Sequence, residues 1–188
     1  MNRWQNIPAE LRNLDQWLMW RAEQRGDRVT KVPYTPTGLH AKSTDPATWC
    51  SFAAALAAVD GFDGIGFVFS EHDPYTGCDF DAPLDAGKLA TVQTLASYTE
   101  RSPSGNGLHV IVRAALPGPG RNDQKAGREI YDRGRYFTMT GDILDGAPAT
   151  IEARQAEIDA YYATFKQPEP VTTRPTAAAP VDLDDQTL

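Results

Sequence analysis

The sequence predicts an α+β domain in which helices pack against a mixed, largely antiparallel sheet. Two observations lead to this class. Segments of helical and strand character alternate along the chain, and an amphipathic stretch at residues 151–165 is typical of a closing helix. Within this pattern, the strand-type segments are separated by turn-forming residues, which favours antiparallel neighbours.

Four segments are predicted to be helices from their composition and their start signals. Pro8 lies near the first turn of one helix, and Ser51 offers an N-cap to the alanine-rich segment that follows it. Asp45-Pro46 provides an earlier helix start. The predicted helices cover residues 8–14, 52–59, 88–96 and 151–165.

The segments predicted as strands are rich in apolar, aromatic and β-branched residues. Arg25-Gly26-Asp27 supplies turn chemistry between the first two, so we expect a hairpin there. Asp73-Pro74 separates the third and fourth. The predicted strands cover residues 16–22, 29–34, 64–69, 76–81, 109–114, 128–131 and 136–140.

Composition favours a reduced, cytoplasmic protein with no membrane segment. Hydrophobic residues make up 41% of the 188 residues. No apolar run approaches the ~18 residues that a membrane span needs, and the N-terminus lacks a signal-peptide layout. Cys50 and Cys78 are too few for a disulfide framework or a cysteine metal cage.

The domain organisation is predicted to change near residue 166. Residues 168–188 are rich in Pro, Thr, Ala and Asp, a composition that cannot bury enough apolar area to order itself. We therefore expect one folded domain at residues 1–166 and a disordered linker or tail at residues 167–188. A chain that stops in a linker suggests a piece of a longer protein, with a natural tail as the alternative.

Charge is distributed unevenly along the chain, whose net charge is −7. Residues 60–100 hold eight Asp or Glu and one Lys, whereas residues 101–135 hold seven Lys or Arg and three Asp or Glu. The negative net charge of the whole chain argues against a protein that coats nucleic acid by bulk electrostatics. An acidic segment followed by a basic one suits a metal site beside a polyanion site, and chance surface variation is the alternative.

Asp79 and Asp81 are the first candidate site residues. Alternate residues of a strand project to the same face, so the two carboxylates would point together while Cys78 and Phe80 face the core. Paired carboxylates repel unless a cation neutralises them, and oxygen ligands select Mg²⁺ or Mn²⁺. Two such ions can hold both reacting oxygens of a phosphoryl transfer. An aspartate pair can also simply cap the turn after a strand.

The second candidate is the loop that contains Ser104, Gly105 and Gly107 and leads to His109 at the start of a strand. Small residues let backbone N–H groups approach an anion, and the serine adds a hydroxyl donor. His109 could donate to the same phosphate oxygens. No Gly-Lys-Ser/Thr opens a helix here, so this is not a Walker loop. A glycine-rich hairpin loop with an incidental histidine is the alternative.

The third candidate comprises Glu129, Arg135 and Tyr136. Glu129 precedes Ile130 in a strand and can face the same way as the aspartate pair, which would complete a three-carboxylate site. Arg135 is a plausible triphosphate or template contact, and Tyr136 could lie beneath a sugar ring. The alternatives are a surface Glu–Arg pair and a core tyrosine.

The order of these motifs resembles that of the archaeo-eukaryotic primase superfamily, and most closely the bifunctional primase-polymerase domains of phages and plasmids. Asp-x-Asp precedes Ser-x-Gly-x-Gly-x-His, which precedes a strand-borne Glu. The resemblance spans about residues 14–145. It includes four further stretches: Trp17-Leu18-Met19-Trp20, Lys31-Val32-Pro33-Tyr34-Thr35-Pro36, Ser43-Thr44-Asp45-Pro46-Ala47-Thr48-Trp49 and Gly64-Ile65-Gly66-Phe67-Val68.

The resemblance implies a catalytic domain with an RRM-like sheet joined to an N-terminal αβ module. It implies that Asp79, Asp81 and Glu129 bind two Mg²⁺ or Mn²⁺ ions, while His109, with Ser104 in its glycine loop, holds the triphosphate. Arg135 matches a position near the nucleotide, and Tyr136 one that senses the 2′ side of the sugar. Two lysines in matching stretches are expected to assist the phosphates: Lys31 and Lys42.

The implied activity is template-directed nucleotidyl transfer on DNA by a primase-polymerase, in phage, plasmid or mobile-element replication. The expected partners are a DNA template and dNTPs or rNTPs, with a helicase or helical domain beyond the linker as a family-based expectation. Nucleic-acid binding is expected to use residues 101–135 and to weaken with salt. Two rival classes are a non-catalytic DNA-binding replication-initiator domain with the same fold and a two-metal nuclease.

Overall fold

The computed structural model describes residues 3–165, where four α-helices and nine strands are found. The helices are α1 (Ala9–Arg12), α2 (Phe52–Ala58), α3 (Ala86–Leu95) and α4 (Gln155–Ala163). The strands are β1 (Trp17–Arg25), β2 (Arg28–Tyr34), β3 (Gly64–Val68), β4 (Tyr75–Phe80), β5 (Thr99–Arg101), β6 (Leu108–Arg113), β7 (Arg121–Asp123), β8 (Arg128–Tyr131) and β9 (Tyr136–Met139). The predicted linker at 167–188 lies outside the described residues.

Two sheets form the framework of this part of the chain. The first has the strand order β2-β1-β3-β9 and the second the order β5-β6-β4-β8-β7. The second sheet is an insertion, because all five of its strands come from the segment between β3 and β9. The α+β class is confirmed and is compatible with a primase fold. The expected mixed sheet is not found among residues 3–165, where every strand ladder is antiparallel.

The alternation of side chains along β4 explains the layering. Cys78 and Phe80 are fully buried in a core with α3 and α4, as the sequence predicted. Tyr75 faces the other way and joins a second core with residues of the first sheet such as Phe67 and Phe137. The five-stranded sheet therefore lies between the first sheet and the two helices. Asp79 shares the face of Tyr75, so it points toward the first sheet.

Local sequence explains where the helices and the hairpin begin and end. Gly26 turns the β1–β2 hairpin with φ of +60°, which a glycine adopts without strain. Ser51 caps α2 by accepting a hydrogen bond from the Ala54 N–H at 3.2 Å. Asp85 caps α3 in the same way, which is why α3 begins two residues before the predicted start. α4 begins four residues later than predicted, because Glu152 and its neighbours lie extended against β6.

Candidate active site

A row of polar residues crosses the five-stranded sheet, one from each strand. Asp79 on the central strand β4 is the cross-strand partner of His109 on β6 and of Glu129 on β8. His109 in turn partners Glu100 on β5, and Glu129 partners Asn122 on β7. Directly opposed residues of antiparallel strands project to the same face, so the five side chains share the face that looks toward the first sheet.

The adjacent row through Cys78 is apolar at its centre. Cys78 partners Val110 and Ile130, all three fully buried on the helix-facing side. Two carboxylates and a histidine at the centre of such a sheet are poorly explained by stability, since buried charged groups destabilise a fold unless they are paired. Their position therefore marks a candidate functional site.

His109 lies at the heart of the row and is 3% exposed. Its Nε2 is 3.6 Å from Oδ1 of Asp79, and its Nδ1 is 3.6 Å from Oε1 of Glu100. The ring of Phe137, from the first sheet, lies with its centroid 4.9 Å from that of the imidazole. The histidine is thus held between two carboxylates and against an aromatic ring.

The carboxyl group of Asp79 is in an unfavourable environment for its charge. Burial raises its pKa, the charge of His109 opposes this effect, and the charge of Asp81 reinforces it. Lys31 lowers the pKa of Asp79 by a smaller amount. These influences show that charges from three separate elements act on this carboxylate.

Glu129 is half-buried and is held by its neighbours. The Asn122 side-chain amide donates to Oε1 of Glu129 at 2.6 Å. Burial raises the pKa of Glu129, the charge of Asp79 raises it further, and a hydrogen bond from Tyr131 lowers it. Both carboxyl groups of the pair therefore hold their protons more tightly than exposed carboxyl groups do.

Asp81 follows the last residue of β4, and its side chain is exposed. Its N–H donates to the Gly127 carbonyl at 2.9 Å, and its own carbonyl accepts from Nζ of the buried Lys88 at 2.7 Å. The charge of Asp81 raises the pKa of both Asp79 and Glu129. Its backbone is therefore fixed beside the row while its carboxylate is exposed to solvent.

The carboxylates suit a divalent cation by chemistry, although their side chains are not drawn together. Within residues 3–165, no three Asp, Glu, His or Cys side chains converge closely enough to form a ligand set. Asp79, Asp81 and Glu129 nevertheless offer the oxygen donors that Mg²⁺ and Mn²⁺ prefer. Adjacent carboxylates with raised pKa values are what such an ion would stabilise, so the donor set fits the implied metals.

A cavity of about 550 Å³ borders the row. It brings together six of the residues that the sequence singled out: Lys31, Asp79, His109, Glu129, Arg135 and Tyr136. It does not bring in five others: Lys42, Asp81, Ser104, Gly105 and Gly107. Both sheets contribute to the walls, since Lys31 and Tyr136 lie on the first sheet and the row lies on the second.

Lys31 reaches the cavity from the β1–β2 hairpin. Its Nζ donates to Oγ1 of Thr138 at 3.3 Å and lies 5.6 Å from the ring centroid of Trp20. Desolvation by the surrounding protein lowers its pKa, while the charges of Asp79 and Asp81 raise it. Lys31 and the Asp79 carboxylate both line the cavity, and a cation in that position is suited to bind an anionic ligand there.

Tyr136 is fixed in place by backbone contacts. Its hydroxyl donates to the Lys31 carbonyl at 2.7 Å. Its ring lies on Gly66, where an added Cβ would be only 2.6 Å from Cδ2 of the tyrosine. Glycine at position 66 therefore makes room for the aromatic ring. Arg135, the preceding residue, places its guanidinium 5.2 Å from the ring centroid of Tyr131.

The glycine-rich loop before β6 is closed by its own hydrogen bonds. The N–H groups of Gly105 and Gly107 donate to Ser102, at its carbonyl and its hydroxyl respectively. The Ser104 hydroxyl accepts from the Asn106 N–H at 3.3 Å. A phosphate cradle made by Gly105 and Gly107 would have to break these bonds, so the loop as folded resembles a structural turn. His109, at its end, does reach the cavity.

The basic segment 101–135 is not a continuous free surface. Four of its arginines form ion pairs with acidic residues: Arg101 with Asp142 and Asp145, Arg113 with Glu10, Arg128 with Asp123, and Arg133 with Asp132. Arg135 is the arginine that lines the cavity. The local positive balance read from the sequence therefore overstates the charge available to nucleic acid.

Sequence reasoning missed Glu100 and Asn122, the two ends of the row. Both lie on three-residue strands, β5 and β7, that carry no recognisable periodicity. The pairing of residues on either side of the glycine-rich loop could have identified Glu100. Arg101 pairs with Leu108 across the six-residue loop, so the next pair outward is Glu100 with His109.

Comparison with known proteins gives one informative match. The chain is 39% identical, over 74% of its length, to a DNA primase-polymerase of Nitratiruptor phage NrS-1. The chain covers about a fifth, 21%, of that phage protein. No protein-family model matches the sequence. Among the described residues, no helix is both long and apolar enough to cross a membrane.

Proposed function

We propose that this chain is the nucleotidyl-transfer domain of a DNA primase-polymerase. The 39% identity to the phage primase-polymerase supports a place in that family. The proposed reaction is template-directed addition of nucleotides to a 3′-hydroxyl. The finer assignment to the archaeo-eukaryotic primase superfamily belongs to the same proposal, and the motif order from Asp79 to Glu129 supports it.

One observation carries the proposal. Asp79, His109 and Glu129 come from three adjacent strands and meet in one row beside a cavity that also holds Lys31 and Arg135. Carboxylates on one side of a cavity and cations on the other match a triphosphate bound through metal ions. A nucleic-acid binding module has no use for paired carboxylates facing its polyanionic ligand.

Asp79 and Glu129, with the exposed carboxylate of Asp81, would hold two Mg²⁺ or Mn²⁺ ions. When bound, such ions supply electrostatic stabilisation to the attacking and leaving oxygens of a phosphoryl transfer. Asn122 and Tyr131 support this role by holding Glu129 in place. The contribution of the protein is a fixed set of oxygen ligands on the most central strands of the sheet.

Cationic and N–H donor groups would bind the triphosphate. His109 directs Nε2 toward the side of the row where Asp79 lies, and Lys31 and Arg135 line the same cavity. Charge-assisted hydrogen bonds from such groups orient phosphate oxygens and stabilise the charge that develops on the leaving pyrophosphate. Tyr136, held by the Lys31 carbonyl, would pack against the sugar and disfavour a 2′-hydroxyl.

The reaction proposed for this arrangement forms one bond to phosphorus and breaks one. The 3′-hydroxyl of the growing strand gives up its proton to solvent, its oxygen bonds to the α-phosphorus of the incoming nucleotide, and the bond from that phosphorus to the bridging oxygen of the β-phosphate breaks. Pyrophosphate leaves with the bonding electrons. The residues of the cavity align these groups, and positioning of this kind lowers the barrier substantially.

The proposed partners are a DNA template, dNTPs and possibly rNTPs in phage, plasmid or mobile-element replication inside a bacterial cell. This chain spans only 21% of the phage protein, so that protein is about five times as long as its matched portion. A helicase or helical domain that acts with this one is part of the proposal.

Primer extension on a DNA template, with Mg²⁺ or Mn²⁺ and dNTPs, tests the proposal. We expect elongation of the primer with release of pyrophosphate, and loss of incorporation by more than about 100-fold in Asp79→Ala. If Asp79→Ala retained a tenth of wild-type extension, the assignment would be wrong. Shortened strands would instead identify a nuclease, and DNA binding without incorporation would identify a binding module.

A further inference from the structure

We propose that Glu100 is a positioning residue that fixes the orientation of the His109 imidazole. The inference rests on the proposed function, because it assigns a partner to the histidine of that site. Glu100 and His109 are directly opposed on β5 and β6. Oε1 of the glutamate lies 3.6 Å from Nδ1 of the histidine, on the side of the ring away from Asp79.

The carboxylate of Glu100 is completely buried and is held by three donors. The N–H groups of Thr140 and Gly141 donate to its two oxygens at 2.9 Å each, and the Tyr98 hydroxyl donates at 2.7 Å. A buried carboxylate is tolerated when it is hydrogen-bonded in this way. Three donors from two segments also fix its position, so it provides a rigid acceptor beside the histidine.

Nδ1 of His109 needs the partner that Glu100 offers. This nitrogen is buried and has no hydrogen-bond partner within residues 3–165, and the Glu100 oxygen at 3.6 Å is a few tenths of an ångström beyond bonding distance. An ionised carboxylate can only accept hydrogen bonds. The arrangement therefore places a hydrogen on Nδ1, and a small approach of the two groups completes the bond.

The orientation of the ring follows from these contacts. With Nδ1 directed at Glu100 and one face of the ring against Phe137, Nε2 is the nitrogen that faces Asp79 and the cavity. A carboxylate that accepts from Nδ1–H holds the ring in one orientation, and in the doubly protonated imidazolium Nε2 also carries a hydrogen that a phosphate oxygen can accept. Glu100 would thus act on nucleotide binding through His109 without touching the nucleotide.

A purely structural role for Glu100 is the rival explanation, because its oxygens also support the backbone at Thr140 and Gly141. The two explanations differ in one respect. A structural role affects the site whether or not His109 is present, whereas a positioning role disappears when the histidine is removed.

Nitrogen-15 NMR of the full chain tests the orientation without any assay of activity. The chain has three histidines, and the exposed His40 and His72 provide internal references for His109. We expect Nδ1 of His109 to carry the hydrogen in the wild type, and Glu100→Gln to shift the His109 resonances while those of the references stay unchanged. A wild-type His109 with a bare Nδ1 would overturn the proposal, and this result needs no variant to fold.

Binding of dATP in the presence of Mg²⁺, measured by calorimetry, tests the consequence. We expect Glu100→Gln to weaken dATP binding about fivefold in the wild-type background and less than about twofold in His109→Ala. Tyr98→Phe is the matched control, since it removes a donor to Glu100 but leaves the carboxylate that faces His109. We expect it to change dATP affinity by less than about twofold.

An equal loss of affinity in both backgrounds, or an equal loss in Tyr98→Phe, would show that Glu100 only supports the fold. Failure of the proposed function gives a different result. In that case the wild-type chain would not bind dATP, while the NMR spectrum would still report whether Nδ1 of His109 carries the hydrogen that faces Glu100.

Discussion

Asp79 and Glu129 lie directly opposite each other on β4 and β8, on the face of the sheet that borders the cavity. Burial raises the pKa of both carboxyl groups, and the charge of Asp79 raises that of Glu129 further. The fold therefore holds two acidic groups in a place where their ionised forms are disfavoured. Several measurable properties depend on this relationship.

The first prediction concerns stability and pH. A carboxyl group with a raised pKa in the folded state binds its proton more tightly than in the unfolded chain, so its ionised form destabilises the fold above that pKa. We expect Asp79→Asn to be more stable than the wild type at pH 7 in the presence of a chelator. The advantage should shrink as the pH falls through the raised pKa of Asp79 toward its unfolded value.

Denaturant unfolding of both proteins at several pH values between 7 and 4.5 measures this difference. Asp60→Asn is a suitable control, because Asp60 is an exposed acid on another element. An advantage for Asp79→Asn that does not depend on pH would contradict the electrostatic explanation.

The second prediction concerns metal binding. If Mn²⁺ binds at Asp79 and Glu129, it should stabilise the folded chain by about 2.7 kcal/mol at about one hundred times its dissociation constant. We expect thermal melts of the wild type and of Asp60→Asn to shift upward with Mn²⁺, and those of Asp79→Asn and Glu129→Gln to stay nearly constant. Equal shifts in all four proteins would place the ion elsewhere.

The third prediction separates two lysines that the sequence could not distinguish. Lys31 lines the cavity, and the charges of Asp79 and Asp81 raise its pKa. Lys42 is exposed and does not line the cavity. We expect Lys31→Ala to raise the KM for dNTP about tenfold with a smaller effect on kcat. Lys42→Ala should change either constant less than about twofold. Steady-state primer extension measures KM and kcat for both variants. A larger rise in KM for Lys42→Ala than for Lys31→Ala would show that Lys31 is not part of the site.

The fourth prediction concerns the choice of sugar. If the ring of Tyr136 excludes a 2′-hydroxyl, Tyr136→Ala should reduce the preference for dNTP over rNTP by roughly tenfold or more. Tyr136→Phe keeps the ring and loses only the hydrogen bond to the Lys31 carbonyl, so its preference should stay close to that of the wild type. Values of kcat/KM for matched dNTP and rNTP decide the point. An unchanged ratio in Tyr136→Ala would rule the idea out.

The fifth prediction concerns the support beneath that tyrosine. A methyl group at Gly66 would lie 2.6 Å from the Tyr136 ring and 3.0 Å from the Phe137 carbonyl. We expect Gly66→Ala to destabilise the chain by about 1–3 kcal/mol through overpacking. Gly61→Ala meets no atom within 4 Å and should stay within about 0.5 kcal/mol of the wild type in denaturant unfolding. Equal stability of the two variants would mean that the Tyr136 ring can move away from position 66 without loss of stability.

The elements that could be predicted from sequence are those with local patterns. Apolar Cys78 and Phe80 alternate with Asp79, and this period specifies both the strand and the opposite face to which the carboxylate points. Gly26 and Ser51 specify a turn and a cap through their own chemistry. In each case, the residue that determines the structure lies within a few positions of the structure it determines.

The features that escaped prediction depend on distant parts of the chain. Strand β7 consists of Arg121, Asn122 and Asp123, which are strand-like only because β8 pairs with them. The separation of Lys31 from Lys42 likewise depends on packing that no local pattern encodes. The row itself is visible only after the register of five strands is known.

The insertion of the second sheet between β3 and β9 has a mechanical consequence. The row of polar residues belongs to the inserted sheet, whereas Lys31 and Tyr136 belong to the first sheet, whose strands β3 and β9 flank the insertion in sequence. A nucleotide bound as proposed would touch both and act as a cross-brace between them. Substrate would then slow the separation of the two sheets, so resistance to proteolysis would report on occupancy of the cavity even when no chemistry takes place.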